Sequence, residues 1–373
     1  MLAAAALAVA ACSDDASLPA AERGCDGAQL LPRSIDPAAR GPWPVGARTV
    51  SVGRLGKVEV WYPATPGSEV GQPAARYDIR AALNPMQRAT IPDADNPWQP
   101  CDCVRDLPLD DGHGPYPAVV FVHGTAAFRH QSLHQVTHWA SRGFVVIAAD
   151  HPGLVLGDLL ALFCPDTTTG ARDLDADVVA LTEALAAPTG GLAFLAGHVD
   201  GDRLAVAGHS AGAGTAASAS SLRGVRAVVS LAGNQPALAS PALEQILFMS
   251  GERDGIVPPA QVRRAWDGSG TPRALVSMAN AGHLAFSDLC ATTNTAGKNI
   301  LQIGQQYGLC GVDMAGALFD CAPDQLASTI GWSIINHAST AVLERALQCR
   351  TDLAPLAAID TTFPDVAVYA EAP

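Results

Sequence analysis

Lysine is almost missing from this chain: Lys57 and Lys298 are the only two among 23 basic residues, and arginine supplies the rest. Charged residues make up 16% and aromatic residues 5% of the 373 positions. Because 36 acidic residues outnumber the basic ones, the formal net charge is −13. Binding to nucleic acid needs clustered Lys and Arg to displace the counterions of phosphates, so this balance excludes a nucleic-acid partner. No C-x-x-C repeat and no Cys/His ligand spacing occurs, which removes the usual structural zinc site. No repeat of fixed period and no Pro/Ser-rich linker divides the chain. With 49% hydrophobic residues the composition is neither disordered nor fibrous. One globular domain over 41–373 is the resulting expectation.

The first twelve residues, MLAAAALAVAAC, are apolar, too few to span a bilayer, and followed at once by Ser13, Asp14 and Asp15. They read as an export signal without its basic n-region. Val9-Ala10-Ala11-Cys12 matches a bacterial lipobox, in which Cys12 is lipidated and becomes the mature N-terminus; cleavage after Ala10 is the alternative. Residues 13–40 then form a polar tether. The expected location is the bacterial cell envelope, with membrane contact only through the N-terminal lipid, or the medium if the protein is secreted. Nine cysteines are present, and setting Cys12 aside leaves eight, an even number suited to disulfides in an oxidising compartment. Their pairing stays open, although Cys101 and Cys103 stand too close in sequence to pair with each other.

Beyond the tether, short aliphatic runs alternate with Ala-rich stretches of helical character. This rhythm predicts an α/β fold with a mostly parallel sheet covered by helices on both faces. Eight strands are expected at 48–53, 57–62, 117–122, 144–149, 203–207, 226–231, 245–250 and 273–278. Helices are expected near 130–141, 173–187, 211–221, 259–266 and 325–348. Two segments, 78–115 and 284–324, break the rhythm and carry five of the cysteines. Loops of that length usually border a functional site. Residues 232–244 are too few to hold a cap domain, so the expected site is an open cleft rimmed by those two segments.

Arg203 to Ala207 is an apolar strand that runs into Gly208-His209-Ser210-Ala211-Gly212, a G-x-S-x-G pattern, and then into small residues that open a helix. A serine on so sharp a strand-to-helix turn needs glycine two positions either side, because Cβ atoms there would meet neighbouring backbone. The pattern alone is common; strand, elbow and helix in succession make Ser210 the candidate nucleophile. A triad on such a fold runs in the order Ser, acid, His. Strand 245–250 leads to Asp254, with Glu252 as rival acid, and strand 273–278 leads to His283. His283 would take the serine proton, and Asp254 would hold its tautomer. Oxyanion donors are expected at the backbone N–H of Ala211 and of Thr125, which follows Gly124. His130, His134 and His138 recur at helical spacing, but no acid or cysteine joins them, so no metal site is expected. His151 precedes the nucleophile and falls outside the triad order.

The stretch from Tyr116 through His123-Gly124-Thr125 to Asp150-His151 resembles the platelet-activating-factor acetylhydrolase and dienelactone-hydrolase-like branch of the α/β hydrolases. Gly41-Pro42-Trp43-Pro44, Val58-Glu59-Val60-Trp61-Tyr62-Pro63 and the Gly208-His209-Ser210 segment are similar to bacterial members. The resemblance implies ester hydrolysis without metal or cofactor. Serine in place of the cysteine of true dienelactone hydrolases argues against dienelactone as substrate. An open cleft implies acyl chains of about two to six carbons, since each buried methylene contributes only about 0.8 kcal/mol. The alternatives are a polyester or lipid esterase on the same triad and a catalytically silent scaffold. Intact-mass analysis with thiol alkylation is expected to find lipid on Cys12 and the other eight cysteines oxidised; a mature chain starting at Ala11 or several free thiols would contradict this.

Overall fold

The run Tyr116–Val122 is apolar at every position and buried at every position, as a strand flanked by neighbours on both edges and helices on both faces must be. Its side chains alternate between two cores: Val119 and Phe121 on one side, Ala118, Val120 and Val122 on the other. The computed structural model describes residues 22–165, 169–352, 354 and 356–372. The expected export signal and Cys12 lie outside the described residues.

The strands are β1 (Glu22–Arg23), β2 (Gln29–Leu30), β3 (Val45–Val52), β4 (Leu55–Pro63), β5 (Arg76–Tyr77), β6 (Gln99–Pro100), β7 (Val104–Arg105), β8 (Tyr116–Val122), β9 (Val145–Ala149), β10 (Val199–His209), β11 (Val225–Leu231), β12 (Gln245–Gly251), β13 (Arg273–Met278) and β14 (Ala367–Ala372). Ten of them form one sheet in the order β14-β13-β12-β11-β10-β8-β9-β4-β3-β7. From β9 to β13 all neighbours are parallel, and β4 and β14 join this block antiparallel. All eight expected strands are present; β7 and β14 add one more at each edge. The remaining four pair as two short antiparallel ribbons.

The helices are α1 (Pro85–Thr90), α2 (Leu133–Ser141), α3 (Leu156–Ala161), α4 (Leu174–Ala186), α5 (Ala211–Ser218), α6 (Pro259–Asp267), α7 (Ile300–Gln306), α8 (Val312–Ala315), α9 (Ser328–Gln348) and α10 (Ile359–Thr362). Leu133, Val136 and Trp139 of α2 pack with Ile334, Ile335 and Leu343 of α9 on one face of the sheet. Val178, Leu181 and Leu185 of α4, Ala216 of α5 and Val262 of α6 cover the other. Among the described residues no helix is long and apolar enough to cross a membrane.

Two expectations are corrected. Cys101 and Cys103 do pair with each other, with Cα atoms 5.1 Å apart. The spacing argument assumed extended backbone, but Ala75 donates its N–H to the Cys103 carbonyl and accepts from the Cys101 N–H, bending the chain around Asp102 until the Cβ atoms converge. Residues 22–40, expected as a free tether, are instead pinned to the domain. Cys25 is bonded to Cys349, and Arg33 reaches the buried Glu344 at 3.5 Å. The other two disulfides, Cys164–Cys310 and Cys290–Cys321, hold the segment 284–324 to α3 and to itself.

Glu344 accepts from Arg142 Nε at 2.6 Å and from Arg350 Nη1 at 3.0 Å, and its side chain and that of Arg142 are 0% exposed. Removing one member of a buried ion group leaves the others unpaired in a medium that solvates them poorly. Glu344→Ala is therefore expected to destabilise the fold by roughly 3 to 5 kcal/mol, read from the urea midpoint.

Candidate active site

Ser210 sits between β10 and α5 with φ 56° and ψ −118°, a backbone state that costs a residue with a side chain on the order of 1–3 kcal/mol. What fixes it there is close backbone packing. A Cβ at Gly208 would stand 2.2 Å from the Gly212 carbonyl oxygen, and a Cβ at Gly212 would stand 2.1 Å from that of Val122. Both contacts are impossible for a real side chain. Ser210 donates its own N–H to the Leu231 carbonyl at 2.9 Å, which ties the elbow to the end of β11. Its Oγ has no hydrogen-bond partner among the described residues.

Asp254 lies in the turn after β12, and both of its carboxylate oxygens are engaged. Oδ1 accepts the N–H groups of Ile256 and Val257 at 2.8 and 2.7 Å, while Oδ2 bonds Nδ1 of His283 at 2.8 Å. Asp254 and His283 are each only 4% exposed, whereas Glu252 faces solvent. The geometry thus joins His283 to Asp254 and not to the rival acid. His283 also donates its backbone N–H to Asp320 at 2.7 Å, a contact contributed by the segment 284–324. Its Nε2 has no protein partner among the described residues, and Ser210 and His283 line the same pocket of about 130 Å³.

Gly124, which opens the turn after β8, lies so close to the elbow that a Cβ there would stand 3.3 Å from Ser210 Cβ. Among the described residues the Thr125 N–H has no acceptor. Ala211 is the first residue of α5, where an N–H has no intrahelical acceptor. Two donors are thus left unused beside Ser210.

Sequence reasoning missed two residues that bind these parts together. Gln131 Oε1 accepts the Gly124 N–H at 2.9 Å, and Gln131 Nε2 donates to His209 Nδ1 at 3.2 Å. His209 then carries its proton on Nε2 and donates it to the His283 carbonyl at 3.0 Å. This buried chain links the Gly124 loop, the elbow and the His283 loop. His209 was visible only as the variable position of G-x-S-x-G, and nothing in the sequence flags Gln131.

The other histidines disperse. His130 bonds Gln99 at 2.8 Å, His134 stacks on Trp332 and His138 bonds the Pro37 carbonyl at 2.9 Å. His151 is wholly buried against Asp177 at 2.9 Å. Among the described residues no group of three His, Cys, Asp or Glu side chains is placed to hold a metal.

The surroundings of Ser210 differ on its two sides. A groove of about 690 Å³ opens past Arg172, Asp173, Asn234 and Gln235. The pocket shared with His283 borders a second, apolar pocket of about 100 Å³ roofed by the segment 284–324 and by α3. The expectation of a cleft with little apolar surface is therefore corrected. No cap separates β11 from β12, but the cysteine-bearing segments fold into short helices that enclose an apolar space instead of only rimming a cleft.

A mostly parallel sheet with a glycine-bounded serine elbow after a central strand, an acid after a later strand and a histidine after the next defines the α/β-hydrolase fold. A ferulic acid esterase from Streptomyces cinnamoneus shares it, with a TM-score of 0.59 and 22% identity over 90% of this chain and 98% of that one. The sequence profile of a family described as platelet-activating factor acetylhydrolase, isoform II, matches residues 98–153. That stretch holds Gly124, Thr125 and Gln131 but none of Ser210, Asp254 and His283. No curated protein matches the chain by sequence.

Burial holds the rings of His123 and His138 at about 3, helped by the neighbouring His151 and Arg142 respectively. Burial, with Arg129 and His283 as the next causes, also keeps His130 and His209 well below the ordinary range. Below about pH 6.5 the unfolded chain takes up protons that these buried rings refuse, so stability is complete above that pH and is lost as pH falls toward 3. Urea unfolding at pH 7, 5.5 and 4.5 is expected to show a decline of up to about 1.4 kcal/mol per pH unit for each such ring.

Proposed function

We propose that the protein is a serine-dependent carboxylic ester hydrolase that works through an acyl-enzyme. Ser210 Oγ attacks the ester carbonyl while His283 Nε2 takes its proton, and the oxyanion is met by the N–H groups of Thr125 and Ala211. His283 gives the proton to the departing alcohol, leaving the acyl group on Ser210. Water, deprotonated by the same nitrogen, then releases the acid and restores the serine. Asp254 keeps the His283 proton on Nδ1 and stabilises the imidazolium.

The observation that supports this most is the 2.8 Å bond between Asp254 and His283 Nδ1, which leaves Nε2 as the free basic nitrogen in the pocket that Ser210 lines. Against a silent scaffold stands the strained elbow: a structural role gives no reason to hold Ser210 at φ 56° with its hydroxyl unpartnered. The ferulic acid esterase and the acetylhydrolase profile both point to ester chemistry, so acetyl and feruloyl esters belong in the first substrate screen. We further infer an exported protein carried by a lipid on Cys12, in keeping with four disulfides among the described residues.

A fluorophosphonate probe is expected to label the wild type and not Ser210→Ala, and turnover of 4-nitrophenyl acetate should fall on the order of a million-fold in that variant. Asp254→Asn should cost less than His283→Ala. Near-normal activity of Ser210→Ala sinks the assignment, and greater damage from Glu252→Gln than from Asp254→Asn makes Glu252 the acid.

A further inference from the structure

The apolar pocket beside the proposed site is lined by none of Ser210, Asp254 and His283. Its wall is built from three separated segments: Ile79 and Leu83 near α1, Leu160 of α3, and Ile300, Ile303 and Ala315 of α7 and α8. These segments are fastened to one another as well as folded side by side. Cys164, just after α3, is bonded to Cys310, just before α8, and Gln87 of α1 donates to the Cys310 carbonyl at 3.0 Å. A chain that only needed loops there has no reason to line them with leucine and isoleucine on their inner side.

The pocket and the Ser210 pocket share Thr125, Leu284, Leu289 and Leu318 as a common wall. Thr125 is the residue whose N–H is proposed to meet the oxyanion. An ester carbonyl held there would have the apolar pocket and the polar groove of Arg172, Asp173, Asn234 and Gln235 as the two spaces open to its substituents. In the groove an alkyl chain would displace water from charged and amide groups without replacing their hydrogen bonds, which is unfavourable. In the apolar pocket it would gain the full transfer from water.

We infer that this pocket is the binding site for one unbranched aliphatic arm of the ester. The inference rests on the hydrolytic reading of Ser210 and deepens it by naming the substrate class. An engineered cavity of about 150 Å³ takes one benzene, so the space of about 100 Å³ holds roughly four methylenes beyond those already lying beside Ser210. The preferred arm is therefore about six to eight carbons long, longer than the open cleft expected from the sequence allows. Either the acyl or the alkyl substituent of the ester occupies the pocket, and substrate series varied on each side tell which.

The test compares 4-nitrophenyl alkanoates from acetate to dodecanoate with n-alkyl acetates from methyl to decyl, on the wild type, Ala315→Phe and Ile300→Ala. In one of the two series kcat/KM should rise about fourfold per methylene up to roughly eight carbons and then level or fall. Ala315→Phe, which fills the pocket, should lower the ratio of the eight-carbon to the two-carbon ester at least tenfold. Ile300→Ala, which enlarges it and serves where the bulkier variant fails to fold, should move the optimum one or two carbons longer. A wild type that turns over the acetates with no rise in either series, or a rise that folded Ala315→Phe and Ile300→Ala leave unchanged, overturns the inference. Absence of turnover on every ester together with absence of fluorophosphonate labelling overturns the reading of Ser210 itself.

Discussion

The site depends on how closely the first turn of α5 lies against the carbonyl end of β8. The Val122 carbonyl occupies the space that a Cβ at position 212 would need, and the Gly212 carbonyl occupies the space of a Cβ at 208. Backbone in contact with backbone leaves the intervening serine no relaxed conformation to adopt. The strain at Ser210 is therefore imposed by the sheet and the helix, and it persists because many buried residues hold those two elements where they are. The same approach brings Gly124 against the elbow, where a Cβ would lie 3.3 Å from Ser210 Cβ.

Around that contact the molecule is divided by rigidity. The parallel block from β9 to β13 has apolar cores on both faces and needs no covalent help. The segments that roof the site have only two small apolar clusters of their own, one around Phe128 and Leu284 and one around Ile91 and Ile303. Two of the four disulfides fall there, Cys164–Cys310 and Cys290–Cys321. Where a segment cannot bury enough surface to hold its shape, cross-links that shrink the unfolded ensemble take over part of that task.

What could be read in advance follows the same division. Most of the eight central strands were legible because strands buried on both faces leave near-continuous apolar runs, although β3 alternates over its second half, and the turns that carry Ser210, Asp254 and His283 were legible because each follows such a run. The edge strands were not. β7 spans only Val104–Arg105 inside a proline-rich loop, and β14 lies beyond the last helix, outside the alternation of strands and helices. The apolar roof was hidden because its lining is scattered over 79–91, 156–160 and 284–319, with no periodicity within any one piece. The pairing of Cys101 with Cys103 depends on hydrogen bonds from Ala75, some 25 residues away, which no local rule contains. Gln131 belongs to the same class: its role comes from a meeting of three loops.

Asp320 holds the start of the base loop by accepting the His283 N–H, and its other oxygen accepts Gln325 Nε2 at 2.6 Å. It stands next to Cys321 in the very segment that shapes the apolar roof. Roof and base are consequently not separate modules. A deletion that removed Asp320 along with part of the roof would also take away the carboxylate that accepts the His283 N–H. Point replacement of the lining side chains leaves this tie intact, whereas exchange of the whole segment would have to supply a new acceptor for the His283 N–H.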